Sequence, residues 1–225
     1  MQARQRMIAS DGYEVMLFPL PYMYISQGEN ESYSHAGILA MDFLGWNQNG
    51  RVYHQEIYAP CSCRCVATID AVNMGRIFQS LDKVHTPAGL QYVTFMWFHD
   101  NNPIASVGDT FTQGDLIGHT GTAGVDQYSD HMHFNTANGQ YAGWENVPPD
   151  GHGQLINSNH IYDICYVNDT ILSYDYGYSW IDFSGGITPS IQKSKFPWVL
   201  YARKLRNKSY WHFIPFSLYY CKRRI

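Results

Sequence analysis

Two histidines separated by one residue, His131 and His133, have the types and spacing that most directly suggest chemistry. Side chains alternate across a β-strand, so both imidazoles would lie on one face of a strand. The apolar neighbours Met132 and Phe134 would then face the core. Two adjacent imidazoles suit a transition-metal site in which one is a ligand and the other an acid or base. Such pairs also arise by chance, so the surrounding elements decide how the pair is interpreted.

Short strands and tight turns surround this pair. Residues 35–43 read as a strand with a turn, and residues 90–98 form a strongly β-prone run that ends at His99. Two Gly-Asp pairs bracket a short strand within residues 107–118, which predicts tight turns in a hairpin. Helical periodicity is nearly absent. The sequence therefore predicts a mainly β fold, an antiparallel β-sheet or sandwich.

Length and composition bound the organisation. The chain has 225 residues, of which 18 are tyrosine, enough for one β-rich domain plus an extension. No run of about 18 apolar residues predicts a transmembrane segment. Asp11 and Glu14 interrupt any apolar stretch near the N-terminus, so we expect no cleavable signal peptide.

Charge divides the chain into two parts. All 19 carboxylates lie at or before Asp182, whereas nine of the 15 Lys and Arg residues lie at or after Lys193. This asymmetry predicts two functional pieces. We assign residues 1–17 to a lead-in, residues 18–182 to the main domain and residues 183–225 to a basic, aromatic C-terminal segment.

The five cysteines allow two interpretations. An odd count argues against a disulfide framework. Cys61, Cys63 and Cys65 could chelate a soft metal, because alternate residues of a strand share a face. A closed structural zinc site generally needs a fourth ligand and wider spacing. We therefore favour three small, half-buried residues on a strand.

Five residues of ligand or acid–base type follow one another with glycine-rich turns between them. They are His35, Asp42, His99, His131 and His133. Their order, the Ala59-Pro60 strand entry, the glycine-punctuated residues 107–124 and the His-Met-His-Phe string resemble the lysostaphin-type (LytM-type) zinc metallopeptidases. The resemblance covers residues 18–145.

The resemblance implies a role for each of the five residues. His35, Asp42 and His133 would ligate one Zn²⁺ per chain, and His99 and His131 would be the unligated catalytic pair. Two neutral imidazoles and one carboxylate leave an open position for water. Which histidine acts as general base stays open. Six residues separate His35 from Asp42, more than is common in the family, so convergence requires a bulge near Gly37.

Other polar residues receive plainer interpretations. Asp100 and Asp130 could orient a catalytic histidine, but we interpret both as solvated loop carboxylates. The remaining histidines are interpreted as surface or structural: His54, His85, His119, His152, His160 and His212.

The family resemblance implies a function as well as a fold, the duplicated hybrid motif of lysostaphin-type peptidases. The chain would be a zinc-dependent endopeptidase acting on bacterial peptidoglycan, in the stem peptide or the cross-bridge. The expected absence of a signal suggests a phage-encoded enzyme that reaches the wall from outside the cell on the virion, or by holin release. The alternative is a non-catalytic peptidoglycan-binding or phage-tail structural module on the same fold.

The C-terminal segment combines nine cations with nine aromatic residues between Lys193 and Ile225. Such stretches can bind nucleic acid, anionic wall polymers or a membrane surface, or dock onto a partner such as a phage tail protein. No groove-reading motif is visible, which argues against specific nucleic-acid recognition. We favour attachment to the wall or the virion.

Overall fold

Short β-strands make up most of the described chain. The computed structural model describes residues 6–30, 34–47, 49–147, 152–166 and 171–174. Seventeen strands and one short helix occur there, which confirms the predicted mainly β class. Within these residues, no helix has the length and apolar character needed to cross a membrane. In chain order the elements are β1 Tyr22–Gln27, β2 Ala40–Leu44, β3 Trp46–Asn47, β4 Gly50–Arg51, β5 Glu56–Tyr58, β6 Cys63–Ile69, β7 Gly75–Ser80, β8 Val84–Thr86, β9 Gly89–Gln91, β10 Val93–Phe98, β11 Thr110–Phe111, β12 Leu116–His119, β13 Met132–Asn138, β14 Trp144–Val147, β15 His152–Leu155, β16 Ser158–Asn159, α1 Ile161–Ile164 and β17 Ile171–Tyr174.

One large sheet organises the fold. Its strands lie in the order β11-β6-β7-β10-β13-β2-β1-β17, and β16 pairs with β13 outside this path. The pairs are antiparallel except for β1 with β17, which is parallel. Strands β10, β13 and β2 are neighbours in the middle of the sheet, so the segments that carry the candidate site residues converge there.

The central strands are held by stacked aromatic side chains. Phe78 of β7 stacks on both Phe95 and Trp97 of β10, at ring-centroid distances of 5.4 and 4.8 Å. Phe95 also packs against Phe134 of β13 at 6.4 Å. All four rings are fully buried. Aromatic pairs of this kind contribute about 0.5–1.5 kcal/mol each beyond the area they bury, so they fix the mutual register of β7, β10 and β13.

The N-terminal segment packs on the same domain. Val15 forms a parallel bridge with His85, and Leu17 forms one with Tyr166. The Gln113 side chain joins this segment to the domain, because its amide nitrogen donates to Val15 O at 2.7 Å while its oxygen accepts from Met7 N at 2.7 Å. The described part of the lead-in thus packs against the rest of the fold. The C-terminal segment, residues 183–225, lies outside the described residues.

The cysteines belong to the apolar core. Cys61, Cys63 and Cys65 are fully buried free thiols in the main core cluster, and so is Cys165. Burial raises the pKa of each of these thiols. Within the described residues they form no metal-binding cluster. The prediction that the first three are half-buried is wrong, because the sheet and the N-terminal segment enclose them.

This placement predicts how substitutions at Cys63 behave. Cys63→Ala should lower the free energy of unfolding by about 1 kcal/mol, because little volume is lost. Cys63→Ser should lower it further, by about 1–3 kcal/mol, because it buries a hydroxyl among apolar groups. Urea unfolding measures both losses, and metal content should stay that of the wild type. Loss of bound metal in the folded Cys63→Ala protein would contradict the core assignment.

Candidate active site

The pairing of β13 with its two neighbours places the candidate site residues. His133 lies directly opposite Asp42 on β2 and directly opposite Phe98 on β10. His99 follows Phe98, so the end of β10 lies beside the start of β13. Met132 and Phe134 are fully buried in the main core, as the alternation of strand side chains predicts. His131, one residue before β13, bridges to Gly121.

His35 reaches the site through a tight turn. Ile38 N donates to His35 O at 3.1 Å, and Gly37 inside the turn has φ +81°. A positive φ at the third position of a β-turn favours glycine. The predicted bulge near Gly37 is thus confirmed as a turn. His35 Nδ1 donates to Gly28 O at 3.0 Å, which directs Nε2 of the ring toward Asp42.

Three atoms that could bind a metal ion lie at the corners of a small triangle. His35 Nε2 lies 3.2 Å from both Asp42 Oδ1 and His133 Nδ1, and His133 Nδ1 lies 3.0 Å from Asp42 Oδ1. Bonds from zinc to nitrogen or oxygen are about 2.0–2.2 Å long, so tetrahedral ligands lie about 3.3–3.5 Å from one another. The triangle is therefore close to the size that one zinc ion requires.

The chemistry of the donors also fits a cation. In the neutral form of His35, Nδ1 carries the proton that it donates to a carbonyl, so the lone pair of Nε2 would face the carboxylate oxygen of Asp42. Lone pairs that face one another repel unless a positive charge lies between them. His133 Nε2 is buried without a hydrogen-bond partner in the described residues, so Nδ1 is the nitrogen of that ring that faces other polar groups.

The ionisation of the cluster favours the ligand forms. Burial would raise the pKa of Asp42, but the rings of His35 and His131 and the hydrogen bond with His133 outweigh it and hold the pKa well below its usual range. Burial lowers the pKa of His133, with His35 and His131 adding to the effect. A carboxylate and neutral imidazoles are the forms that bind metal. In the orientation that its neighbours require, the Gln27 amide donates to Asp42 Oδ2 at 3.3 Å.

His99 and His131 form a second pair beside the triangle. Their ring centroids are 4.5 Å apart, and His131 Nε2 lies 3.6 Å from Asp42 Oδ1. His99 Nδ1 donates to Ala123 O at 2.7 Å, and His131 Nδ1 donates to Ser129 O. Both rings therefore present Nε2 as the free nitrogen when neutral. Burial, together with His131 and His133, lowers the pKa of His99 to about 3, so its ring is uncharged near neutral pH.

Backbone geometry holds this second pair in place. His99 has φ +80°, a conformation that non-glycine residues adopt rarely and mostly where function requires it. Gly121 exchanges two backbone hydrogen bonds with His131, and a Cβ at Gly121 would lie 2.1 Å from His99 O. The absence of a side chain at residue 121 therefore lets the segments that carry His99 and His131 approach each other.

Two carboxylates were wrongly interpreted from the sequence. Asp100 and Asp130 are buried rather than solvated. Asp100 accepts hydrogen bonds from His119 N and Asn102 N, both at 2.9 Å. Their positions beside His99 and His131 are visible in the sequence, but their burial depends on the packing of distant loops.

Among the described residues, the histidines outside the site do not belong to the triangle. His85 is buried and bonds to Asp11, while His160 bonds to Glu29, so both have structural contacts. The His54 side chain is 62% exposed. His212 lies outside the described residues. Gln27 is a further polar residue of the site, and no sequence motif indicates it. It lies directly opposite Asp42 in the pairing of β1 with β2, which lets its amide reach the Asp42 carboxylate.

Among known proteins, the chain is similar in sequence to a phage protein. The chain is 33% identical over 173 residues to morphogenesis protein 1 of Bacillus phage B103. The aligned region covers 76% of this chain and 45% of the relative. The chain thus spans less than half of the length of that protein. No family model matches the chain.

Solved structures that the chain resembles include three peptidase-related proteins. A zinc-containing peptidase from Vibrio cholerae has a TM-score of 0.41 at 13% identity, over 59% of this chain and 43% of that one. The catalytic domain of the antimicrobial peptidase lysostaphin from Staphylococcus simulans has a TM-score of 0.37 at 18% identity, over 56% and 84%. A variant catalytic domain of the prophage-encoded EnpA from Enterococcus faecalis has a TM-score of 0.38 at 12% identity, over 52% and 85%.

The donor triangle predicts which residues metal binding needs. Asp42→Ala and His133→Ala should each lower zinc affinity by more than about 10-fold, because each removes one of three ligand atoms. Competition titration with a chromophoric chelator measures the affinity. His119→Ala is the matched control, since it removes an imidazole from β12 outside the triangle. Equal zinc affinity in all three variants would contradict the assignment.

Proposed function

We propose that the chain is a zinc-dependent endopeptidase that hydrolyses peptide bonds of bacterial peptidoglycan. The observation that carries the proposal is the placement of two imidazoles beside the triangle formed by His35, Asp42 and His133. A structural metal site is closed by its ligands, whereas a catalytic site has three protein ligands and acid–base groups at an open position. The arrangement matches the second kind.

The proposed chemistry divides between the ligands and the second pair. When bound, zinc supplies Lewis acidity and a water of lowered pKa at this position. His35, Asp42 and His133 would hold the ion through one atom each. His99 and His131 present Nε2 toward the site, where one can take a proton from the attacking water and later give it to the leaving amine. The other can donate to the oxygen of the scissile carbonyl as negative charge develops there.

Peptidoglycan is proposed as substrate from the sequence resemblance. The five site residues and the glycine-rich turns follow the pattern of lysostaphin-type peptidases, and the low charge of the ligand set suits amide hydrolysis in general. The relative from Bacillus phage B103 supports a phage-encoded protein. Action on the cell wall during penetration or lysis is part of the proposal and comes from the sequence resemblance. The stem peptide and the cross-bridge are both candidate sites of cleavage.

The catalytic pair predicts a separation of metal binding from catalysis. His99→Ala and His131→Ala should each lower wall hydrolysis by about 10²- to 10⁴-fold, because each removes a proton-transfer group. Zinc content should remain one ion per chain in both variants. Release of new amino groups from purified cell walls measures the activity, and elemental analysis measures the zinc. Hydrolysis that persists both in His131→Ala and after zinc chelation would refute the proposed function.

The basic, aromatic residues 193–225 are proposed to attach the enzyme to anionic polymers of the wall or to the virion. Nine cations without a carboxylate would bind polyanions mainly through charge. Sedimentation with purified walls should therefore show binding that weakens as salt rises toward about 0.5 M, because surface charges are screened. Replacing the six lysines and arginines between Lys193 and Lys208 by glutamine should remove most of the salt-sensitive binding. Binding unchanged by either treatment would contradict this role.

A further inference from the structure

The carboxylate of Asp130 is fully buried beside the catalytic pair. Thr120 Oγ1 donates to its Oδ1, and His54 N donates to its Oδ2 at 3.1 Å. The His54 ring nitrogen Nδ1 lies 3.4 Å from Oδ2. Thr120 is in turn held by Gln55, because Gln55 N donates to Thr120 Oγ1 and Thr120 N donates to Gln55 O, both at 2.9 Å. A buried charge is costly unless such partners compensate it.

The main chain of Asp130 and His131 is also held by hydrogen bonds. Arg51 Nη2 donates to Asp130 O at 2.7 Å. Gly121, the residue after Thr120, exchanges hydrogen bonds of 3.0 and 3.2 Å with the main chain of His131. The segment is therefore held at the Asp130 side chain, the Asp130 carbonyl and the His131 backbone.

The His131 ring is oriented by the carbonyl group of the residue that precedes Asp130. Ser129 O, which accepts from His131 Nδ1, belongs to the residue before Asp130. The position of that carbonyl selects the tautomer with the proton on Nδ1, and it points Nε2 toward Asp42 at 3.6 Å. Loss of the Asp130 side-chain anchor would remove one of the three points that hold this segment, so Ser129 O and the ring would be held less rigidly.

We propose that Asp130 is a positioning residue for His131, acting through its buried hydrogen bond with Thr120. The inference rests on the proposed function for its effect on catalysis, but its effect on the ring can be measured without any activity. Removing the anchor would leave all five site residues present while the ring of His131 loses its single tautomer and orientation.

The primary test compares the wild type with Asp130→Asn, both as zinc-bound full chains. The amide removes the negative charge and replaces one acceptor oxygen by a nitrogen donor, so the charge-assisted hydrogen bonds from Thr120 Oγ1 and His54 N are both weakened or reversed. We expect kcat for wall hydrolysis to fall by about 10- to 100-fold, the usual effect of removing such a supporting contact. KM and zinc content should stay close to the wild-type values, whereas the unfolding temperature should fall, because a buried polar group loses part of its compensation. Long-range ¹H–¹⁵N spectra should show His131 protonated on Nδ1 in the wild type and a mixture of tautomers in the variant, with the signal assigned by its loss in His131→Gln.

A second pair of variants covers the case in which Asp130→Asn fails to fold. Thr120→Val removes the hydroxyl donor at nearly constant shape, whereas Thr120→Ser retains it. Only Thr120→Val should lower kcat and mix the tautomers of His131. Asp109→Asn is the matched control, because Asp109 is an exposed aspartate that accepts from one backbone nitrogen, Ser106 N, at 2.8 Å.

The outcomes separate the two proposals. An unchanged His131 tautomer and an unchanged kcat in folded Asp130→Asn, or equal behaviour of Thr120→Val and Thr120→Ser, would overturn the positioning role. A loss of kcat that only follows a loss of bound zinc would overturn it as well. A wild type that hydrolyses no wall would refute the proposed function, while a tautomer change in Asp130→Asn would still support the positioning role.

Discussion

The register between β13 and its neighbours is the constraint on which the site depends. His133 must lie opposite Asp42 on one side and Phe98 on the other. A slip of one residue would turn every side chain of β13 to the other face, taking His133 away from His35 and Asp42 and into the core. Phe134 and the stacked rings of Phe78, Phe95 and Trp97 oppose such a slip, because it would turn Phe134 away from the buried rings that it packs against. The apolar side of the sheet thus fixes the geometry of the polar side.

Main-chain carbonyl oxygens orient the histidine rings of the site. Gly28 O, Ala123 O and Ser129 O each accept from Nδ1 of one histidine, and each directs Nε2 of that ring toward the site. The three carbonyls lie in loops, so the loops must themselves be held. The positive φ of His99 and the close approach of Gly121 are part of the cost of bringing these loops together. Carbonyl oxygens, rather than carboxylates, fix the tautomers of His35, His99 and His131. Asp42 is the carboxylate that lies among the histidine rings.

Much of this arrangement could be predicted from the sequence, and the exceptions share a physical cause. The alternation of Met132 and Phe134 with the two histidines follows from strand geometry, and the need for a turn at Gly37 follows from the spacing of His35 and Asp42. The burial of Asp130 could not be predicted, since its partners Thr120 and His54 are distant in sequence. The same holds for the cysteines, whose enclosure depends on several elements. The domain boundaries and the roles of His99 and His131 stay predictions.

X-ray absorption at the zinc K-edge on the purified, zinc-loaded chain tests the central claim most directly. We predict a first shell of nitrogen and oxygen at about 2.0–2.1 Å, with outer-shell scattering from two imidazoles, since His35 and His133 are the proposed nitrogen ligands. A sulfur shell at about 2.3 Å would place the metal at the cysteines instead. A shell without imidazole scattering would likewise contradict the assignment of His35, Asp42 and His133 as the metal site.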